Sequence, residues 1–175
     1  MERIKSWIEG KYVITENSAQ AKELNKELGY GMILPDGRVQ IALHEAAHLL
    51  EREKIIVLDR KDNKITEEKI LGIAGKKEHK FNERYLVYKD LRTRGFIVQT
   101  ALKFGADFRV YNKGKKPGQE HSKWIVYIAR EGEKLTWREY SAKNRVAHSV
   151  KKKLLLAIID DQGEVSYWES EWVRL

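Results

Sequence analysis

The chain contains no cysteine and only two prolines in 175 residues. The missing thiols exclude a disulfide framework, a thiolate nucleophile and a cysteine-ligated zinc site. With so few prolines, domain boundaries must be read from hydrophobic pattern rather than from Pro-rich linkers. No apolar run approaches the ~20 residues that span a bilayer, and the opening MERIKSWIEG has no apolar signal core. Low-complexity segments and internal repeats are lacking as well. The expectation is a soluble, cytoplasmic protein with no membrane partner.

What is present is apolar content and charge. Hydrophobic residues make up 42% of the chain and charged ones 34%, enough for a real core in one large domain or two small ones. Lys and Arg total 34 against 26 Asp and Glu, a net charge of +8. Such an excess favours a polyanionic partner, nucleic acid first; the competing reading is a Lys/Glu-rich surface of thermophile type. Location bears on the choice. Residues 1–80 carry 15 basic and 14 acidic side chains, residues 81–175 carry 19 and 12. The excess therefore sits in the second half, as a binding domain requires.

The pattern divides near Lys80. Strand-like WIEGKYVI opens the first half, and Ser18 can cap a helix that Gly29 stops. Pro35-Asp36-Gly37 signals a turn between GYGMIL and RVQIAL. A helix around His44–Lys54, a strand IIVLD and a short helix within KITEEKILGIAGKK, ended by Gly75, complete it. In the second half, FNERYLVYKDLRTRGF spaces Tyr85, Tyr88 and Leu91 as one helical face, with Gly95 as its stop. ADFRVY and WIVYIAR read as strands separated by the polar loop NKGKKPGQEHS. Thr136-Trp137-Arg138-Glu139 matches a capping box, so a helix starts there and runs to about Val150. LLLAIID, DQGE and VSYWESEWV read as a terminal hairpin. The expected fold is α/β: a small N-terminal α+β domain over residues 1–80, then an α/β domain with a central mixed sheet over residues 81–175.

His44-Glu45-Ala46-Ala47-His48 fits H-E-x-x-H, a zinc hydrolase signature with two imidazoles one helical turn apart and Glu45 as base. Glu67 and Glu68 are the available third ligands. With only three fixed positions the pattern arises often by chance, and it lies on the nearly neutral half. An amphipathic helix burying Ala42, Leu43, Ala46, Ala47, Leu49 and Leu50 explains it better, and no metal or other cofactor is expected.

Three polar residues of the second half carry more weight. Tyr111 ends the strand Phe108-Arg109-Val110-Tyr111, His121 precedes the strand Trp124–Ala129, and Lys152 lies in the run Lys151-Lys152-Lys153 between helix and hairpin. Singly, each has an ordinary explanation as packing or solvated surface. Together, FGADFRVY (residues 104–111), HSKW (121–124) and RVAHSVKKKL (145–154) resemble the tyrosine, histidine and lysine segments of the archaeal tRNA-splicing endonuclease family, in order and in spacing. Lys152 is chosen from the lysine run by its distance to His121 and to the C-terminus.

The resemblance implies a nuclease-like C-terminal fold and an enzyme that cuts precursor tRNA at exon–intron junctions folded as a bulge-helix-bulge. It implies cleavage without metal, leaving a 2′,3′-cyclic phosphate and a 5′-hydroxyl, with DNA resistant because it lacks the 2′-hydroxyl. It implies a homotetramer. His121 then protonates the leaving oxygen, as an imidazole titrating near neutrality can, and Lys152 stabilises phosphate charge. Tyr111 is the assigned base; a phenol, with an ordinary pKa of about 10, could instead orient the 2′-hydroxyl, and that choice stays open. Arg145 falls at the family's base-clamping arginine, with Trp172 or else Arg174 as the second plane. Lys103, Lys113, Lys115, Lys116 and Lys123 are expected phosphate contacts. Asp160 and Asp161, in the acidic loop Asp160-Asp161-Gln162-Gly163-Glu164, are expected to serve tetramer assembly. Residues 1–80 are expected to serve packing and assembly.

Overall fold

The computed structural model describes residues 3–115 and 117–175. They divide into two compact units, residues 1–82 and 83–175. Each is built on a mixed sheet.

In the first unit, β1 (Ile4–Glu9) and β2 (Tyr12–Thr15) form a hairpin. The expected single strand WIEGKYVI is thus broken in two. Gly10 takes φ +62°, the left-handed conformation a tight turn needs and few other residues adopt. Ser18 caps α1 (Ala19–Lys26) by accepting from the Ala21 N–H. The Pro35-Asp36-Gly37 turn joins β3 (Met32–Ile33) to β4 (Val39–Ala42). Then come α2 (Leu43–Glu51), β5 (Ile55–Leu58), β6 (Lys64–Ile65) and α3 (Glu67–Lys77). The sheet order is β3-β4-β2-β1-β5-β6, with β1 and β5 parallel. Gly75 does not stop α3, which continues to Lys77. Gly75 does not take a positive φ, and a Cβ there would meet only Asn82 Oδ1 at 3.9 Å, so the helix passes through at only the small entropic cost of an interior glycine.

The H-E-x-x-H stretch opens α2. Both oxygens of the Glu45 carboxylate are engaged locally, one accepting from Gly31 N–H at 3.1 Å and the other from Ala42 N–H at 2.9 Å. His48 is buried and stacks against Tyr30, with ring centroids 6.3 Å apart. Glu45 thereby satisfies donors at the helix start, and among the described residues no group of three His, Asp or Glu is arranged to hold a metal ion.

In the second unit, α4 (Phe81–Thr93) leads into β7 (Ile97–Thr100), a single 3-10 turn (Leu102–Phe104), β8 (Phe108–Tyr111), β9 (Trp124–Arg130), α5 (Trp137–Ser149), β10 (Lys153–Ile159) and β11 (Val165–Ser170). The sheet order is β11-β10-β9-β8-β7, antiparallel throughout except for β9 and β10. Parallel neighbours need a crossover, and α5 supplies it. The expected capping box is present: Thr136 Oγ1 accepts from Glu139 N–H, and Glu139 Oε2 accepts from Thr136 N–H.

Strand alternation sorts the core into two layers. Phe108 and Val110 face α4, where Tyr88 meets Phe108 at 5.9 Å between centroids. Ile125, Tyr127 and Leu154 face α5 and pack with Ala147 and Tyr140. Each fully buried large side chain contributes roughly 1.5–3 kcal/mol. Arg109 and Tyr111 alternate with Phe108 and Val110, so they point to the α5 side. No helix among the described residues is long and apolar enough to cross a membrane.

Candidate active site

Ladder geometry brings three sequence-distant segments to one end of the second sheet. Because β8 and β9 are antiparallel, the end of β8 lies beside the start of β9. Because β9 and β10 are parallel, the start of β10 lies there too. The register is Val110↔Trp124↔Lys153. Two further bonds extend it, Lys123 N–H to Val110 O at 2.8 Å and Lys153 N–H to Lys123 O at 3.0 Å. The residues flanking this row, Tyr111, His121 and Lys152, are therefore neighbours. All three line one cavity of about 370 Å³, together with Arg109, buried Ser122 and the loop residues 117–120.

The helix end selects among the three lysines. Lys151 N–H bonds His148 O and Lys152 N–H bonds Ala147 O, both at 2.9 Å, which closes α5 with a Schellman motif. Lys151 holds the left-handed position at φ +57°, usually a glycine. It turns the chain from helix into strand. Lys153 is tied to Glu169 at 2.8 Å and Glu171 at 3.2 Å. Of the run, only Lys152 lines the cavity with Tyr111 and His121. A left-handed conformation costs a non-glycine residue about 1–2 kcal/mol, while glycine adds unfolded-state entropy. Lys151→Gly is therefore expected to be neutral to about 1 kcal/mol stabilising in thermal unfolding. A clear loss of stability would mean that the Lys151 side chain itself holds the turn.

The three groups differ in environment. Tyr111 is buried, and its hydroxyl donates to Gln99 Oε1 at 3.2 Å, leaving the phenolic oxygen able to accept. His121 is exposed on the cavity wall. Lys152 is half-buried. Burial first, and the nearby Arg109 guanidinium second, hold its ammonium pKa below the ordinary lysine value. The arrangement offers an aimed acceptor, an accessible imidazole and a poorly solvated cation around one space.

Arg145 and Trp172 do not line this cavity. They line a separate groove of about 400 Å³ with Tyr140, Asn144, Ser170 and Glu171. A third depression, of about 680 Å³, shares Lys152 with the first and Asn144, Ser170, Glu171 and Trp172 with the second, and is lined also by Lys123 and His148. Trp172 is half-exposed, and His148 meets it edge-on at 4.5 Å between centroids. Arg174 is exposed. Lys103, Lys113 and Lys123 are exposed, each with its ammonium over a ring, of Phe104, Phe96 and Trp124 in turn. Lys115 is exposed and Lys116 lies outside the described residues. Asp160 organises the β10–β11 turn by accepting from Gln162 and Glu164 N–H, while Asp161 is exposed.

Gln99 and Arg109 were not anticipated. The signal for Arg109 was in the sequence: two residues before Tyr111 on a strand, it shares that residue's face. Gln99 had none, because its place opposite Arg109 depends on the β7–β8 register.

A family model described as tRNA intron endonuclease, catalytic C-terminal domain, matches residues 81–167. A second, described as tRNA intron endonuclease, N-terminal domain, matches residues 4–71. The chain is 41% identical over 171 residues to a tRNA-splicing endonuclease of Pyrococcus furiosus, covering 98% of this chain and 97% of the relative. It is 36% identical over 172 residues to that of Methanothermobacter thermautotrophicus, covering 98% and 99%. The Nanoarchaeum equitans protein of the same name is 41% identical over 141 residues, covering 77% and 90%.

Proposed function

The chain belongs to the tRNA intron endonuclease family, and from that premise we propose that it cuts precursor tRNA at bulge-helix-bulge exon–intron junctions, in the cytoplasm, by attack of the ribose 2′-hydroxyl on the adjacent phosphate. That it is an RNA endonuclease follows from the family. The mechanism is the reading offered here, and the observation that supports it is the single cavity lined by Tyr111, His121 and Lys152.

In this reading the O2′–P bond forms as the P–O5′ bond breaks, giving a 2′,3′-cyclic phosphate and a 5′-hydroxyl. The 2′-hydroxyl proton passes to Tyr111 when that residue is a phenolate, or to water when Tyr111 only aims the hydroxyl, and His121 delivers one to the leaving O5′. Tyr111, its own hydrogen held by Gln99, accepts the hydrogen bond of the 2′-hydroxyl and aims it; taking the proton outright requires the phenolate. The Lys152 ammonium faces the non-bridging oxygens, where charge grows in the transition state. Side chains thus supply both the proton and the charge stabilisation, so no metal is needed. The decisive experiment incubates the purified protein with an intron-containing precursor tRNA in excess EDTA and identifies the new ends. Cyclic phosphate and 5′-hydroxyl termini are expected; loss of cleavage on chelation would refute the metal-free mechanism.

Arg145 with Trp172, or else Arg174, is proposed to hold an extruded bulge base, since unpaired bases stack on guanidinium and aromatic planes. Lys103, Lys113, Lys115, Lys116 and Lys123 are proposed to contact phosphates. Residues 1–80 are proposed as a structural and assembly domain, residues 81–175 as the catalytic one, and four copies as the working assembly. Within the acidic turn, Asp161 projects to solvent and Asp160 holds the loop shape, which suits insertion into a basic groove of another copy. Replacing Asp160 and Asp161 by Ala together is expected to yield a species smaller than the tetramer on sizing chromatography, and an unchanged elution volume would refute that role.

A further inference from the structure

Arg109 faces the cavity without a part in the chemistry above. Its side chain is half-buried, and its Nε is buried with no hydrogen-bond partner. Among the described residues no carboxylate forms an ion pair with it. Glu120 lines the same cavity but is exposed and unpaired with Arg109. The neighbouring charge that acts on Lys152 is that of Arg109, and it opposes protonation there. Two cations thus face one partly desolvated space, with no carboxylate of the described residues paired to Arg109. Two neighbouring cations in a partly desolvated space repel each other and favour binding of an anion.

We propose that Arg109 is a further catalytic residue, whose guanidinium takes a non-bridging oxygen of the scissile phosphate beside the Lys152 ammonium. This rests on the reading that the scissile phosphate enters the cavity. The chemistry suits the division. A guanidinium stays charged at any working pH and offers a planar fork of donors matched to phosphate oxygens, whereas an ammonium is a titratable point charge. Strand β8 holds Arg109 in fixed relation to Tyr111, so one rigid element positions both the aim of the nucleophile and the charge on the electrophile. No proton passes through Arg109, and the bonds made and broken are those already given.

The test is single-turnover cleavage of an intron-containing precursor tRNA by Arg109→Ala, Arg109→Gln and Arg109→Lys. Alongside it, binding is measured with the same RNA carrying a 2′-deoxyribose at the cut, and folding by thermal unfolding. Arg109→Ala is expected to lose about 10²–10³-fold in rate while affinity, spread over many phosphate contacts, changes little. Added methylguanidinium is expected to restore part of the rate of Arg109→Ala and to leave wild type and His121→Ala unaccelerated. A near wild-type rate for Arg109→Ala, or a loss that methylguanidinium does not rescue, overturns the proposal. Should the Ala variant fail to fold, the other two decide: faster cleavage by Lys than by Gln at equal melting temperature supports the role, and equal rates overturn it. Wild type that leaves the precursor intact defeats the function reading and this inference together. Wild type that cleaves beside an equally active Arg109→Ala defeats the inference alone.

Discussion

Precursor tRNA carrying a single 2′-deoxyribose on the 5′ side of the scissile phosphate is expected to bind this chain normally and to remain uncut. The expected effect is the largest available, because the substitution removes the nucleophile itself and leaves every protein group in place. Binding should persist, since affinity for RNA comes mainly from phosphate contacts and stacked bases, neither of which needs that hydroxyl. The measurement pairs gel-resolved cleavage of end-labelled RNA with competition binding against the unmodified precursor. Continued cleavage at the modified junction would mean that water attacks, and the assignment of Tyr111 to the ribose hydroxyl would fall. DNA of the same sequence should resist for the same reason.

His121→Ala and Lys152→Ala are each expected to lower the single-turnover rate by roughly 10²–10⁴-fold, the usual worth of one acid–base or charge-stabilising group. Near wild-type cleavage by either would refute its role. The two should differ in pH dependence. Lys152 must be charged to act, so its contribution to kcat/KM is present below its pKa and is lost as pH rises through it. Burial first and Arg109 second hold that pKa below the ordinary lysine value, so the alkaline fall of wild type should come earlier than for an exposed lysine. The sign for stability runs the other way. A lysine whose folded pKa is depressed binds fewer protons folded than unfolded, so it costs stability below its folded pKa and the cost fades as pH rises towards the ordinary value. Lys152→Met should therefore melt no lower than wild type at neutral pH while losing activity, the trade expected where function holds a charge out of water.

Local chemistry was largely legible from residue order. The Ser18 cap, the Pro35-Asp36-Gly37 turn, the Thr136–Glu139 capping box and the Gly95 stop all appear as read, because each depends on neighbours within four residues. The errors were also local, and both concerned glycine. Gly10 breaks a strand into a hairpin while Gly75 rides inside a helix. A glycine permits a left-handed turn without requiring one, so only the surrounding packing decides which use it serves. The H-E-x-x-H pattern shows the same limit from the side of function. Its residues suit zinc, but Glu45 is committed to the N–H groups of Gly31 and Ala42.

From residue order alone came two half-chains of different charge, the α/β alternation, and three polar residues spaced like those of a known endonuclease family. These are statements about composition, short-range geometry and pattern, and such information survives in one dimension. Tertiary structure decided that Lys152, picked from its run by spacing, lines the cavity, that Gln99 holds the Tyr111 hydroxyl, that Arg109 adds a second charge, and that Arg145 and Trp172 share a groove apart from the three. These depend on strand register between segments distant in the chain, and for the lysines on a helix end that turns at Lys151 and places Lys152 at the cavity. Register is set by how both sheet faces are filled at once, so no segment carries it alone.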